Sequence, residues 1–142
     1  MAAAIAEALL AAAGDEVPVG AAVMHEGRVV ARAHNETVAR RDPTAHAELL
    51  VIQDALRAVA SDRLTACTLY VTLEPCAQCA GAIVLAKVGR LVFGAPDPKA
   101  GMCGSVGDVA RHPRLNHRVE VIGGLEEAAC SRLLQEFFAA KR

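Results

Sequence analysis

The sequence predicts an α/β fold, a three-layer α/β/α sandwich around a central mixed five-stranded sheet, and three observations carry that prediction. Two β-prone runs separated by Glu26-Gly27 read as a hairpin, strand and helix signals alternate after it, and 54% of the 142 residues are apolar, enough to bury a core. Alanine accounts for 30 of the residues, while the large aromatics are only Tyr70, Phe93, Phe137 and Phe138. The expected core is therefore aliphatic and closely spaced. The length predicts one domain over residues 1–142.

Residues 2–13 are rich in Ala and Leu and end at Gly14, which predicts a first helix with Ile5, Leu9 and Ala12 or Ala13 on its buried face and Gly14 just past its end. Val19 to His25 and Arg28 to Ala33 form the hairpin strands. A polar loop from His34 to Arg41 leads to Asp42-Pro43-Thr44. There Asp42 or Thr44 is expected to cap a second helix whose Leu49, Ile52, Leu56 and Val59 recur at helical spacing. This places His46 and Glu48 in its first turn. Thr68 to Leu73 is β-branched and aromatic enough for a strand, and Ala77 to Lys87 has helical composition, so Cys76 and Cys79 fall at a strand-to-helix junction. Leu91 to Phe93 and Val119 to Ile122 supply the last two strands, and Leu125 to Phe138 a closing helix with Leu133, Leu134, Phe137 and Phe138 as its apolar stripe.

Charge is near balance, 15 basic against 16 acidic residues, which excludes a uniformly basic nucleic-acid clamp and a disordered polyelectrolyte. The longest apolar runs are too short to span a bilayer, which needs about 18 or more such residues. Ala11 to Ala13 mimic a signal-cleavage site, but no basic segment precedes them and Glu7 interrupts the run, so a cytoplasmic chain is expected. Five cysteines, Cys67, Cys76, Cys79, Cys103 and Cys130, are an odd number in a reducing compartment and favour metal or catalytic use over disulfides.

His46, Cys76 and Cys79 make a set of three soft or imidazole ligands, the number a hydrolytic zinc site uses when its fourth position stays open for water. Cysteines three apart at a helix start share a face, and the helix N-terminus stabilises their thiolates. Glu48 would diverge from His46 mid-helix, but at a frayed first turn its longer carboxylate reaches the metal water as a proton shuttle. Singly, each residue has a plainer use: a capping His, a redox C-x-x-C, a solvated Glu. Together, as His46-Ala47-Glu48 and Pro75-Cys76-Ala77-Gln78-Cys79, they favour a catalytic zinc site, and the lack of a nearby fourth ligand disfavours a closed zinc finger. Cys67, Cys103 and Cys130 read as small core or loop residues.

The H-x-E and P-C-x-x-C pair is the signature of zinc nucleobase deaminases. The resemblance extends further, through Asp42-Pro43-Thr44-Ala45-His46-Ala47-Glu48, Leu69 to Cys76, Cys79-Ala80-Gly81-Ala82, Val92-Phe93-Gly94-Ala95, Lys99-Ala100-Gly101, Asn116-His117-Arg118-Val119-Glu120 and Phe137-Phe138. From about Glu16 to the C-terminus the chain resembles the tRNA-specific adenosine deaminases of the cytidine deaminase superfamily. Gln78, where that family commonly has Met, and the Ala-rich first helix are departures that leave the metal motif intact. The resemblance implies a cytidine deaminase-like fold and hydrolytic conversion of adenosine to inosine at the wobble position, 34, of a tRNA anticodon. It implies a homodimer with one zinc per subunit, held by His46, Cys76 and Cys79, and Glu48 as proton donor and acceptor. Asn35 corresponds to a base-recognising Asn, its amide offering a donor and an acceptor, although a turn role is the commoner use of a loop Asn. Asp97 and Lys99 correspond to a loop that meets RNA beside the flipped base, Lys99 as a phosphate contact or a solvated lysine.

An anticodon stem-loop suits this chemistry, because a single-stranded base leaves its stack at least cost. No DNA or membrane partner is expected. Deamination of free guanine, cytosine or a cytidine nucleotide by the same zinc site is the first alternative, and a non-catalytic zinc-stabilised RNA-binding module the second. The charge balance leaves room for RNA. Up to Pro75 there are 6 basic and 10 acidic residues, after it 9 and 6, so the second half can present an RNA-facing side.

Overall fold

The computed structural model describes residues 1–142. Its elements are α1 (Ala2–Ala13), β1 (Gly20–His25), β2 (Arg28–His34), α2 (Ala47–Ala58), β3 (Cys67–Leu73), α3 (Ala77–Leu85), β4 (Arg90–Ala95), β5 (Glu120–Gly123) and α4 (Glu127–Ala140). The sheet has five strands in the order β2-β1-β3-β4-β5. β1 runs antiparallel to both β2 and β3, whereas β3, β4 and β5 are mutually parallel. Glu26 (φ 52°) and Gly27 (φ 76°) both take positive φ, the type I′ turn whose twist matches paired strands. α1 and α4 cover one face and α2 and α3 the other, completing the three layers. Between them lies an aliphatic core including Val23, Val51, Leu69, Val71, Ile83 and Leu91, to which Phe93 adds the one aromatic ring.

α1 forms over the expected residues but buries a different face. Ala4, Ala8 and Ala11 are fully buried, while Leu10 is 57% and Leu9 53% exposed. The cause is Gly20: a Cβ there would stand 2.0 Å from the Ala4 carbonyl oxygen and 2.4 Å from the Ala8 nitrogen. Helix backbone rests on strand backbone, and only an alanine stripe tolerates that approach. Gly14 keeps φ −91°, and the left-handed residue after α1 is Asp15 (φ 64°).

α2 begins later than the sequence suggests. Asp42 caps no helix; its Oδ1 accepts from the Thr44 N–H at 2.9 Å and the Thr44 hydroxyl at 2.6 Å, closing an Asx-turn that competes with helix. The helix N-cap is His46. Its buried face is Ala47, Glu48, Val51, Ile52 and Ala55 together with Leu50, and Leu56 and Val59 pack at the core margin. α4 buries only Cys130 fully; Leu133, Leu134 and Phe137 are half-buried and Phe138 is exposed.

The sheet's polarity determines where the site falls. Gly20 pairs with His34, and Leu73 with Ala95, so the start of β1 and the ends of β2, β3 and β4 open on the same edge. Open α/β sheets place ligands beyond the carboxyl ends of their parallel strands.

Candidate active site

At that edge two helix starts face each other. His46 has φ −82° and ψ 149° at the N-cap of α2, and Cys76 has φ −76° and ψ −178° at the N-cap of α3. Both side chains leave from extended backbone just before a helix, and Cys79 joins from the third residue of α3. The expectation that His46 lies in the first turn is thus corrected: it sits one residue outside, and Glu48 lies in the turn. This half-step lets the two side chains line one cleft despite a spacing of two.

The His46 Nδ1 lies 3.6 Å from the Cys76 Sγ and 3.5 Å from the Cys79 Sγ. Tetrahedral zinc, with Zn–S about 2.3 Å and Zn–N about 2.0–2.1 Å, separates N and S by about 3.5 Å. The three donor atoms, all within 4.8 Å of one another, therefore fit a zinc ion. The Cys76 thiol is brought down to about 5, first by its hydrogen bond with Cys79 and further by His46, and Cys79 is pushed up by the same shared proton. Metal binding at such a pair displaces that proton. Gln78 ties the two helix starts together, its Nε2 donating to the Thr44 carbonyl at 3.0 Å and lying 3.8 Å from the Cys79 Sγ. All five cysteines are free thiols, and burial raises Cys103 to about 12, consistent with an inert packing role.

Glu48 is only 4% exposed. Burial pushes its carboxyl up to about 7, against the pull of its own backbone N–H and of His46. It lines a cleft of about 290 Å³ with His46, Cys76, Asn35, Asp97 and Glu74 among its walls, near the small end of the ligand-cleft range of about 300–1,000 Å³. Asn35 is buried there, but its Oδ1 accepts from the Ala47 N–H at 2.8 Å. It caps α2 from twelve residues away, which local cap signals do not reveal. The side chain's Nδ2 has no protein partner. Of the expected donor-plus-acceptor pair, one acceptor site of the carbonyl is thus used within the protein, while the residue lines the cleft.

Asp97 also lines the cleft, with Oδ1 accepting from the N–H groups of Lys99 and Ala100 at 3.0 and 3.2 Å. Lys99 is exposed and outside the cleft wall. Several cations after the cysteine motif are already paired: Arg90 with Glu120 and Arg111 with Asp108, at 2.9 and 2.7 Å. Each of these pairs joins two residues of the second half, so its basic excess is unchanged, and Lys87, Lys99, Arg114, Arg118, Arg132 and Arg142 stand outside any ion pair.

Two buried carboxylates that sequence reasoning did not single out hold the loops flanking the cleft. Glu16 accepts from the N–H groups of Val38 and Ala39, at 3.0 and 2.8 Å, and from the Thr37 hydroxyl. Glu74 accepts from the N–H groups of Asp97, Cys103 and Ser105 and from the Ser105 hydroxyl. Burial opposes their charge, yet these donors outweigh it and hold both carboxyls below their ordinary value. Glu74 carried a faint signal, an acid between Leu73 and Pro75 directly before the cysteine motif. Glu16 carried none.

Comparison with known proteins agrees with this geometry. The family model of MafB19-like deaminases matches residues 1–142. A tRNA-specific adenosine deaminase of Bacillus subtilis is 46% identical over 139 residues, covering 98% of this chain and 86% of the relative. A solved structure from a study of A-to-I editing by tRNA:A34 deaminases is 44% identical with a TM-score of 0.90, covering 94% of this chain and 97% of its own. A guanine deaminase from Nitrosomonas europaea shares the fold at 28% identity and a TM-score of 0.78, covering 96% and 81%. With near full-length identity on this scale and the zinc-spaced donor set in place, the chain belongs to the family of tRNA-specific adenosine deaminases.

Proposed function

We propose that the chain, as one deaminase domain, hydrolyses adenosine to inosine at position 34 of a tRNA anticodon, with zinc held by His46, Cys76 and Cys79. The observation that carries the reading is the convergence of one Nδ1 and two sulfurs at zinc-ligand spacing beside a buried carboxylate. Zinc there supplies the Lewis acidity that makes water a nucleophile at neutral pH.

The chain's own residues supply the rest. Glu48, with its carboxyl near neutrality, takes a proton from the attacking water and passes it to the adenine ring nitrogen, then takes a second proton from the hydroxyl formed at C6 and passes it to the amino group that leaves as ammonia, the poise an acid-base catalyst needs. Asn35 presents its amide N–H to an acceptor on the purine edge while its carbonyl stays on Ala47. The Asp97 loop walls the cleft beside the base and Lys99, outside the wall, faces backbone phosphate. With few exposed aromatics, reading of the RNA rests on shape and polar contacts. We infer further that the chain works as a homodimer with one zinc per subunit in the cytoplasm; no helix is long and apolar enough to cross a membrane.

Deamination of a free base is the second reading, favoured by the shared fold of the guanine deaminase. Incubating the zinc-loaded protein with an A34 anticodon stem-loop, and in parallel with adenosine, cytidine and guanine, separates the two. Inosine only in the RNA is expected; turnover of a free base alone rejects the tRNA reading.

A further inference from the structure

Glu74 directly follows β3, next to Pro75 and two residues before the metal-donor Cys76, and is 2% exposed. No cation neutralises it. Its Oε1 accepts from the Asp97 N–H at 3.1 Å and the Ser105 hydroxyl at 2.5 Å, and its Oε2 from the N–H groups of Cys103 and Ser105 at 3.0 and 3.1 Å. The acceptor sites of one carboxylate are thus occupied by a single loop folded around it, from Asp97 to Ser105. That loop closes on it sterically as well: a Cβ at Gly101 would lie 2.3 Å from the Glu74 carboxyl carbon and 2.4 Å from Oε2. The Met102 N–H donates to the Pro75 carbonyl at 2.9 Å, a second tie to the segment that carries Cys76. Asp97 and Ala100 of the loop line the cleft together with Glu74 itself.

We infer that Glu74 is a positioning residue for the RNA substrate: by gathering the Asp97–Ser105 loop onto the segment that carries Cys76, it sets the distance between the metal centre and the wall that receives the nucleotide. The inference rests on the RNA reading of the cleft for its substrate and on the loop geometry alone for its mechanism. A carboxylate is needed because every partner is a donor; an amide of the same shape turns an NH2 toward at least one backbone N–H and opens the loop. A misplaced wall weakens the grip on RNA more than it alters the reacting groups, which Glu74 does not touch.

The test is Glu74→Gln compared with wild type by zinc content, by steady-state kinetics on an A34 stem-loop and by amide exchange. Expected are one zinc per chain, faster exchange at the Asp97, Cys103 and Ser105 amides, and KM raised about tenfold with kcat changed by less than about threefold. Leu64→Ala, a core substitution away from the loop, controls for lost stability and should leave KM unchanged. A Glu74→Gln protein with wild-type KM, or one that loses kcat alone with normal exchange, overturns the inference. Should Glu74→Gln not fold, Ser105→Ala removes one donor, and an unchanged KM there overturns it equally. Wild-type protein that makes no inosine refutes the RNA reading instead, and the exchange data then still judge the loop.

Discussion

Glu48 is the residue on which the chemistry turns. It needs burial for its raised carboxyl and closeness to the donor trio for its task, and the extended backbone of His46 allows both. Glu48→Ala is expected to keep one zinc per chain and a folded core while kcat for inosine formation falls by about 10²–10⁴-fold; metal analysis and single-turnover kinetics check this. Cys79→Ala should lose zinc altogether. Asn35 carries two separable duties, and two substitutions divide them. Asn35→Ala removes the cap on α2 and should cost about 1 kcal/mol as well as activity. Asn35→Asp keeps an acceptor for the Ala47 N–H, so urea unfolding should show near-normal stability while KM rises for want of the donor. At this scale the two motifs were legible because each is local, His46 and Glu48 two apart and Cys76 and Cys79 three apart, although thirty residues separate His46 from Cys76. Glu16 and Glu74 were not, since their partners are loop N–H groups more than twenty residues away, and a backbone donor leaves no mark in sequence.

Elements follow the periodic pattern where packing is ordinary and depart from it where backbones touch. In α1 the hydrophobic reading favours Ile5 and Leu9, yet the buried stripe is Ala4, Ala8 and Ala11. The missing information was distance: Gly20 lets the helix descend onto β1, and leucine cannot follow. Gly20→Val should therefore lift α1 and destabilise the fold by at least about 3 kcal/mol, the upper range for overpacking, read as a lowered urea midpoint. The start of α2 was misplaced for a related reason. Asp42 has cap chemistry, but its Asx-turn with Thr44 spends it locally, and the true cap comes from Asn35 across the loop. The hairpin and the strands were legible because turn residues and β-branched runs are local signals, though β4 runs from Arg90 to Ala95 where only Leu91 to Phe93 was expected.

For the whole molecule, the antiparallel hairpin and the parallel strands meet at β1 and β3, and that junction brings segments distant in sequence to one edge. The sheet class was readable from the order of signals; strand order, and with it the cleft, was not, because pairing partners depend on contacts across the sheet. The loops around the cleft also link stability to pH. Glu16 is held below the ordinary carboxylate value by its donors despite burial, so its contribution is complete above an unfolded value of about 4.3 and is lost as pH falls through the lower folded value. The stability gap between wild type and Glu16→Gln should be widest near neutrality and close under acid conditions, as urea titrations across pH will show. The proposed deamination rests on Glu48 acting beside zinc upon A34 of an anticodon. The most direct measurement is inosine at each position of an A34 stem-loop, for wild type and Glu48→Ala at equal zinc content. Inosine is expected at position 34 with wild type and none above background with the variant; equal conversion by both proteins contradicts the role of Glu48.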